Sequence, residues 1–473
     1  MRRTLVLLSS LLVTPAWGAD LSLSPGDDLG TLVSGVAPGD TVTLAGGEYP
    51  MSTRITLSEL AGTESAPIII QAAEDANPVL VYSGNGSAID IVGSSFVRVR
   101  NIGIRGGVHE NPEETYNHSG IYVSNGSSDV VLEGLRIGNL QGTPVNIGDA
   151  ARVTVRGCEL HDVVNGTGLV AGCGNGNCWL TGGTFSRNWI HGMTSGNGIY
   201  LHDGNQSVSI RDNVVHGVSD RGIRVGGTGE GPENVVEGNA IWATGGHGLV
   251  ANGPSTVRNN VVFDCGGNGI RSDGGTTGFA DVHITHNTVG DTIDDSVELD
   301  EWSGKTGCVL ANNAISNPTG YALQAGDGQI DAGNLIVANV VTGLVRGFDP
   351  LLDHYVPGYG DGDYMDAVNW DFYPRDGSAL IDAADPSGDA WVPAVDFNGV
   401  ARDGETPDVG AYERSEATNP GWAFQEGFKP DMLAGGEVEV GGCGDCEDEG
   451  GEAATALLPL LLLGGLRRRR GMA

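Results

Sequence analysis

Lysine is almost missing from this chain. Lys305 and Lys429 are the only two in 473 residues, and 25 Lys plus Arg face 60 Asp plus Glu for a formal charge of −35. Grip on a phosphate backbone requires a basic footprint, so nucleic acid is excluded as a partner. A polyanionic sugar is also repelled at long range, unless a local group of arginines or a bound cation reverses the field. Apolar runs long enough to cross a membrane are lacking as well. The run from Leu5 to Val13 and the run from Ala453 to Leu466 both fall short of the ~20 residues that a hydrocarbon core needs. Sustained apolar spacing at i, i+3, i+4 and i+7 is also missing, and 78 glycines would each cost about 1 kcal/mol inside a helix. Helical repeats therefore fit the chain poorly.

The two short apolar runs read as targeting signals. Met1-Arg2-Arg3, the run to Val13 and then Pro15-Ala16-Trp17-Gly18 form a cleavable export signal over residues 1–18, cut after Gly18. At the other end Cys443 and Cys446, the run from Ala453 and the cluster Arg467 to Arg470 resemble the C-terminal tags of myxobacterial surface proteins. That resemblance implies processing near the cysteine by a sorting machinery and retention at the cell surface, with residues 443–473 as the signal. The alternative is a plain tail anchor with positive-inside arginines. Either way residues 19–442 lie outside the cytoplasm, where disulfides persist. Cys173 and Cys178 bracket a short polar loop and are candidates for a staple. Cys265 and Cys308 are a second candidate pair, and Cys158 is expected to be buried and inert.

A short pattern then recurs: polar residues, Asn, one residue, and Ile or Val. It places Asn188, Asn213, Asn239, Asn260, Asn287, Asn313 and Asn334 in one column, with Cys158, Leu135 and Ile102 filling the same column upstream. Repeats of 20–30 residues with several short β-rich runs each mean one solenoid coil per repeat. Asn suits such a column because it tolerates left-handed backbone angles, and its amide can bond the equivalent amide one coil away at the ~4.8 Å strand spacing.

Gly198-Ile199-Tyr200-Leu201 and Gly222-Ile223-Arg224-Val225, with the opening Val36-Ala37-Pro38-Gly39-Asp40, resemble the pectin-lyase-like superfamily. The resemblance covers roughly residues 20–345. It implies an all-β fold, a single-stranded right-handed parallel β-helix solenoid with N-terminal and C-terminal caps. On this reading residues 19–95 form the N-terminal cap and first coils, and 96–345 the stacked coils. The run Gly377–Asp382 with Asp408–Glu413 resembles the closing segment of surface-anchored β-helix proteins, so 346–415 is expected to cap the end. Residues 416–442, rich in Gly and Glu, read as a flexible spacer.

Aligning the strands on the Gly-Ile dipeptide gives two outward columns. The first runs through Tyr200, Arg224, Val250, Arg271 and Glu298, the second through His202, Gly226, Asn252, Asp273 and Asp300; Arg221, His247 and Asn268 stand just ahead. Arg224 and Arg271 are placed to straddle a sugar carboxylate, with His202 or Tyr200 for proton transfer. Asp273, Glu298, Asp300 and Asn252 offer hard oxygen ligands suited to Ca²⁺, since stacked carboxylates need a cation or a shared proton. The polygalacturonase signature does not fit, because Asp294-Asp295 follows Gly246-His247-Gly248 instead of preceding it. The Lys–Arg pair of the alginate lyase and chondroitinase B family lacks its groove lysine. Three functions stay open: a β-eliminating lyase on an acidic extracellular polysaccharide, a non-catalytic carbohydrate-binding or adhesive protein, and a structural spacer of the cell envelope.

Overall fold

The computed structural model describes residues 18–430, apart from 34, 107–117, 175, 229–230, 274–279, 327–332, 349–354, 359 and 388–390. The export signal before Gly18, the C-terminal signal and residues 431–442 of the expected spacer lie outside the described residues. Within them the chain winds as a parallel β-solenoid. One face is a sheet of thirteen strands from Asp20–Leu23 to Leu335–Val337, and two further faces share a sheet of twenty-three. Helix is confined to Leu29–Val33 and two 3₁₀ turns among the described residues.

Each coil places alternate residues inward, because successive side chains of a strand point to opposite sides. Ile199 and Leu201, Ile223 and Val225, Leu249 and Ala251, Ile270, Val297 and Leu299 are all sealed in the core, each large aliphatic contributing roughly 1.5–3 kcal/mol by burial. The strands carrying them pair in register, Tyr200 beside Arg224, Arg224 beside Val250, Val250 beside Arg271 and Arg271 beside Glu298. These strands form the groove face.

A second face begins at the Asn column. Asn188, Asn213, Asn239, Asn260, Asn287 and Asn313 are buried, and each donates its side-chain amide to the carbonyl oxygen of the next at 2.9–3.0 Å. Two expectations need correction here. The column ends on Asn339, 26 residues after Asn313, and Asn334 belongs to another corner, where it accepts from Cys308 N–H at 3.1 Å. Gly-Asn-Leu-Ile reads alike at both corners, but the strand that follows Asn334 pairs with Val309–Ala311 on the thirteen-stranded face. The left-handed residue is also the one before each ladder Asn: Arg187, Asp212, Gly238, Asn259, His286, Asn312 and Ala338 have φ of 50–67°. The Asn itself must aim inward, so its neighbour makes the turn.

Residues 364–430 lie along this second face. Tyr364, Phe372, Tyr373, Phe397, Tyr412 and Trp422 pack on Val214, Ala240, Trp242, Val261, Phe263, Ala314 and Val340 of successive coils. Arg402, fully buried, donates to Asn259 at 2.8 Å, and Ala411 N–H donates to Thr288 Oγ1 at 2.9 Å. Residues 416–430 are therefore no spacer: Trp422 is buried, Phe424 stacks on Phe397, and the buried Lys429 ammonium meets Asp212 at 2.7 Å. A few aromatic anchors outweigh the glycine around them, since each buries a large apolar area. Cys173 and Cys178 form a disulfide. Cys265 and Cys308 do not pair; both are buried free thiols, as is Cys158, whose thiol burial pushes up to about 12.

Candidate functional site

The strands Ile199–Leu201, Ile223–Val225, Leu249–Ala251, Ile270–Ser272 and Val297–Leu299 present their outward residues in the two columns read from the sequence. Backbone bonds from His202 to Ala171, Gly226 to Leu201, Asn252 to Val225, Asp273 to Ala251 and Asp300 to Ser272 fix the second column. A recess of about 270 Å³ opens among Tyr200, Arg221, Arg224, His247, Val250, Asn252, Arg271 and Asp273. Buried Val250 separates Arg224 from Arg271, which places their backbone positions two coil spacings apart, roughly 9–10 Å. Arg221 and His247 belong to the recess although the two outward columns omit them. Their signal was present: both precede the Gly that opens a groove strand, as the bonds from Gly198 N–H to Arg221 O and Gly222 N–H to His247 O record.

The arginines are held by acids. Arg224 lies over the Tyr200 ring, 4.7 Å from its centroid. It donates to Leu201 O at 2.9 Å and meets Asp203 at 3.3 Å. Arg221 pairs with Asp220 at 2.8 Å. Arg271 reaches Asp300 at 2.8 Å, Asp273 at 3.4 Å and Glu298 at 3.5 Å. Asn252 donates its amide to Asp273, and Asn268 donates to Glu298. Asp273, Glu298, Asp300 and Asn252 are thus brought together, as the stacking argument requires, but the cation among them is the Arg271 guanidinium. Among the described residues no group of three or more His, Cys, Asp or Glu is arranged to hold a metal ion. Arg271 sets one positive charge against the three carboxylates Asp273, Glu298 and Asp300. For the same reason Arg224 is the better placed of the two to meet an anion.

Burial holds the His202 imidazole below its ordinary range, helped by Arg224. Burial does the same to His247, together with Arg271 and Arg221. Both rings are therefore neutral at pH 7. His247 Nδ1 accepts the backbone N–H of Asn268 at 3.0 Å, so its one proton sits on Nε2. His202 packs edge-on against Tyr200, with centroids 4.6 Å apart. Glu298 is displaced upward, first by burial and then by Asp300. The recess thus combines an arginine-lined side, the neutral His247 imidazole and an acidic end, with His202 behind Tyr200.

Several comparisons with known proteins bear on the fold. The family described as "Right handed beta helix region" matches residues 81–241 and 226–315. The A-module of the Azotobacter vinelandii mannuronan C-5 epimerase AlgE4 superposes with a TM-score of 0.51 at 17% identity, covering 67% of this chain and 91% of that one. The corresponding module of AlgE6 from the same organism gives 0.52 at 17% identity, with 67% and 89% covered. The pectate lyase Pel9A gives 0.54 at 14% identity, with 84% and 96% covered. No curated protein sequence matches the chain. At such identities the likeness establishes the solenoid and leaves the chemistry to the residues of the groove.

Proposed function

From the premise that this chain is a right-handed parallel β-helix, we propose that its groove binds an acidic extracellular polysaccharide and cleaves it by β-elimination. The observation that carries the reading is the recess itself. In a chain of charge −35, three arginines, Tyr200 and the His247 imidazole line one cavity of about 270 Å³, room for part of a sugar chain and little else, and His202 packs against Tyr200. Polysaccharide lyases and epimerases among the superposed structures support the substrate class.

In this reading Arg224, with Arg221 beside it, holds the uronate carboxylate and draws charge from C5. Neutral His202 takes the C5 proton as general base, and the released electron pair forms the C4=C5 double bond as the C4–O bond breaks. The Nε2–H of His247 protonates the departing oxygen. Tyr200 keeps Arg224 in place from below. No step runs through a metal: Arg271 supplies the positive charge at the acidic end. A chelator should accordingly leave sugar binding by the wild-type protein unchanged, and calcium-dependent binding that Glu298→Gln abolishes would restore the cation at Asp273, Glu298, Asp300 and Asn252.

The direct test is absorbance of the unsaturated uronate product on a panel of acidic polysaccharides. Product formation that falls at least a hundredfold in His202→Ala, the ordinary weight of a general base, supports the lyase. Binding without product would move the protein to the adhesive reading, which the acid partners of all three arginines favour, since they lower the positive charge left for a substrate. Binding weakened in Arg224→Ala for acidic sugars and unchanged for neutral ones identifies the carboxylate contact in either case. We further propose that the mature protein starts near Ala19 and is held at the cell surface through the region of Cys443.

A further inference from the structure

The disulfide between Cys173 and Cys178 lies at the corner that follows the groove strand Leu169–Ala171, one coil before Tyr200 and His202. Inside the loop Cys173 N–H donates to Cys178 O at 3.1 Å. The chain then turns inward at Leu180, which is fully buried, and leaves its neighbour Trp179 facing out and 42% exposed. An exposed tryptophan offers a ligand a flat apolar face with a polar N–H at its edge.

This indole stands beside the turn that follows His202. It lies over Gly204, where an added Cβ would come within 3.6 Å of Trp179 Cβ and 3.8 Å of its Cε3. These are ordinary van der Waals distances, and it is the backbone, with φ of +98°, that calls for glycine at this turn. Leu180 N–H donates to the side chain of Asn205 at 2.6 Å, and Asn205 donates in turn to His202 O at 2.6 Å and Ala171 O at 3.0 Å. Asn205 is fully buried. One buried amide therefore ties together the residue after Trp179, the end of one groove strand and the backbone of His202. The next residue, Asp203, is the partner of Arg224. The outward ring and the groove are thus positioned by the same atoms.

A fixed, exposed aromatic face suits the C–H face of a pyranose, whose polarised hydrogens meet the negative side of the ring. We propose that Trp179 is a sugar-stacking platform at the rim of the groove, which takes a unit neighbouring the one held at Arg224 and His202. The disulfide keeps the platform in reach. The proposal rests on the uronate reading of the groove and adds a length preference to it: chains long enough to touch both places gain, and shorter ones do not.

The test is calorimetric titration of the whole protein with oligogalacturonate and oligomannuronate of about two and about six units, lengths chosen so that only the longer spans several coils at their ~4.8 Å spacing. Trp179→Ala should weaken hexamer binding about threefold to tenfold and leave dimer binding unchanged, the range expected for one aromatic contact. Trp179→Phe should retain most of the hexamer affinity, and Cys173→Ser with Cys178→Ser should lose part of it. If Trp179→Ala binds the hexamer as the wild type does while Arg224→Ala loses it, the platform is overturned and the groove reading stands. If the wild type binds neither oligomer, both are overturned.

Discussion

Asn260 shows what a single residue does in this fold. Its amide donates to Val236 O, Arg258 O and Asn287 Oδ1, and its oxygen accepts from Asn239. Leucine at this place keeps the volume and removes these side-chain bonds, leaving the buried Asn239 backbone N–H without the Asn260 oxygen it donates to at 3.0 Å and the Val236 and Arg258 carbonyls without the amide. Asn260→Leu should destabilise by about 1–3 kcal/mol in denaturant unfolding; an unchanged midpoint would show that the ladder is held by shape alone. His216 makes a second residue-level prediction. Burial, then His191, holds its pKa down at about 4 from 6.5, and its Nε2 accepts the Trp189 indole N–H at 3.0 Å. The unfolded chain takes up this proton at a higher pH than the folded one. Stability is therefore lost as pH falls through the window from 6.5 to about 4. Melting curves of His216→Phe should show a shallower fall across that window than the wild type.

At the scale of elements, the segment 364–430 and the ladder face depend on each other. Lys429, whose side chain is fully buried, meets Asp212 at 2.7 Å and Gly238 O at 2.8 Å, and its ammonium lies 3.7 Å from the centre of the Phe397 ring. Lys429→Met leaves the Asp212 carboxylate buried without its cation and should cost about 3–5 kcal/mol, and Lys429→Met with Asp212→Asn, which keeps a residue suited to the left-handed φ of 54°, should recover most of that loss. Equal stability of the single and double variants would mean that the pair is not coupled. This segment was not legible in the sequence. Trp422, Phe424 and Lys429 follow no period, and the coil residues that receive Phe424 and Lys429, namely Trp242, Phe263 and Asp212, stand far upstream in the chain. The groove was legible, because a period of two carries every outward residue from coil to coil once Gly-Ile fixes the phase. What the phase could not supply was which charge meets which. That Arg271 turns to Asp300 and Glu298 depends on side-chain reach, and Asn334 was misplaced because one sequence word serves two corners.

The whole molecule sets charge against location. A chain of charge −35 repels acidic polymers at long range, so only a local exception such as the recess admits one. If the export and anchoring reading holds, mass spectrometry of the surface-exposed pool should find a chain that begins near Ala19 and lacks the arginines from Arg467 to Arg470; recovery of an intact end through Ala473 would contradict it.

The docked segment also bears on how the chain folds. A repeat array in which each coil touches only its neighbours can nucleate anywhere and fray from its ends. Here the bond from Lys429 to Asp212 closes 217 positions, and that from Arg402 to Asn259 closes 143. Closing such long loops is slow and must wait for the coils that form their landing face. The solenoid should assemble first and be latched afterwards, and once latched the coils from Asp212 to Val340 should unfold as one cooperative block while the coils before Arg187 open independently. Hydrogen exchange would register this as a single high opening free energy across the latched coils with a step down before them; a smooth gradient from end to end would show that the latch adds no cooperativity.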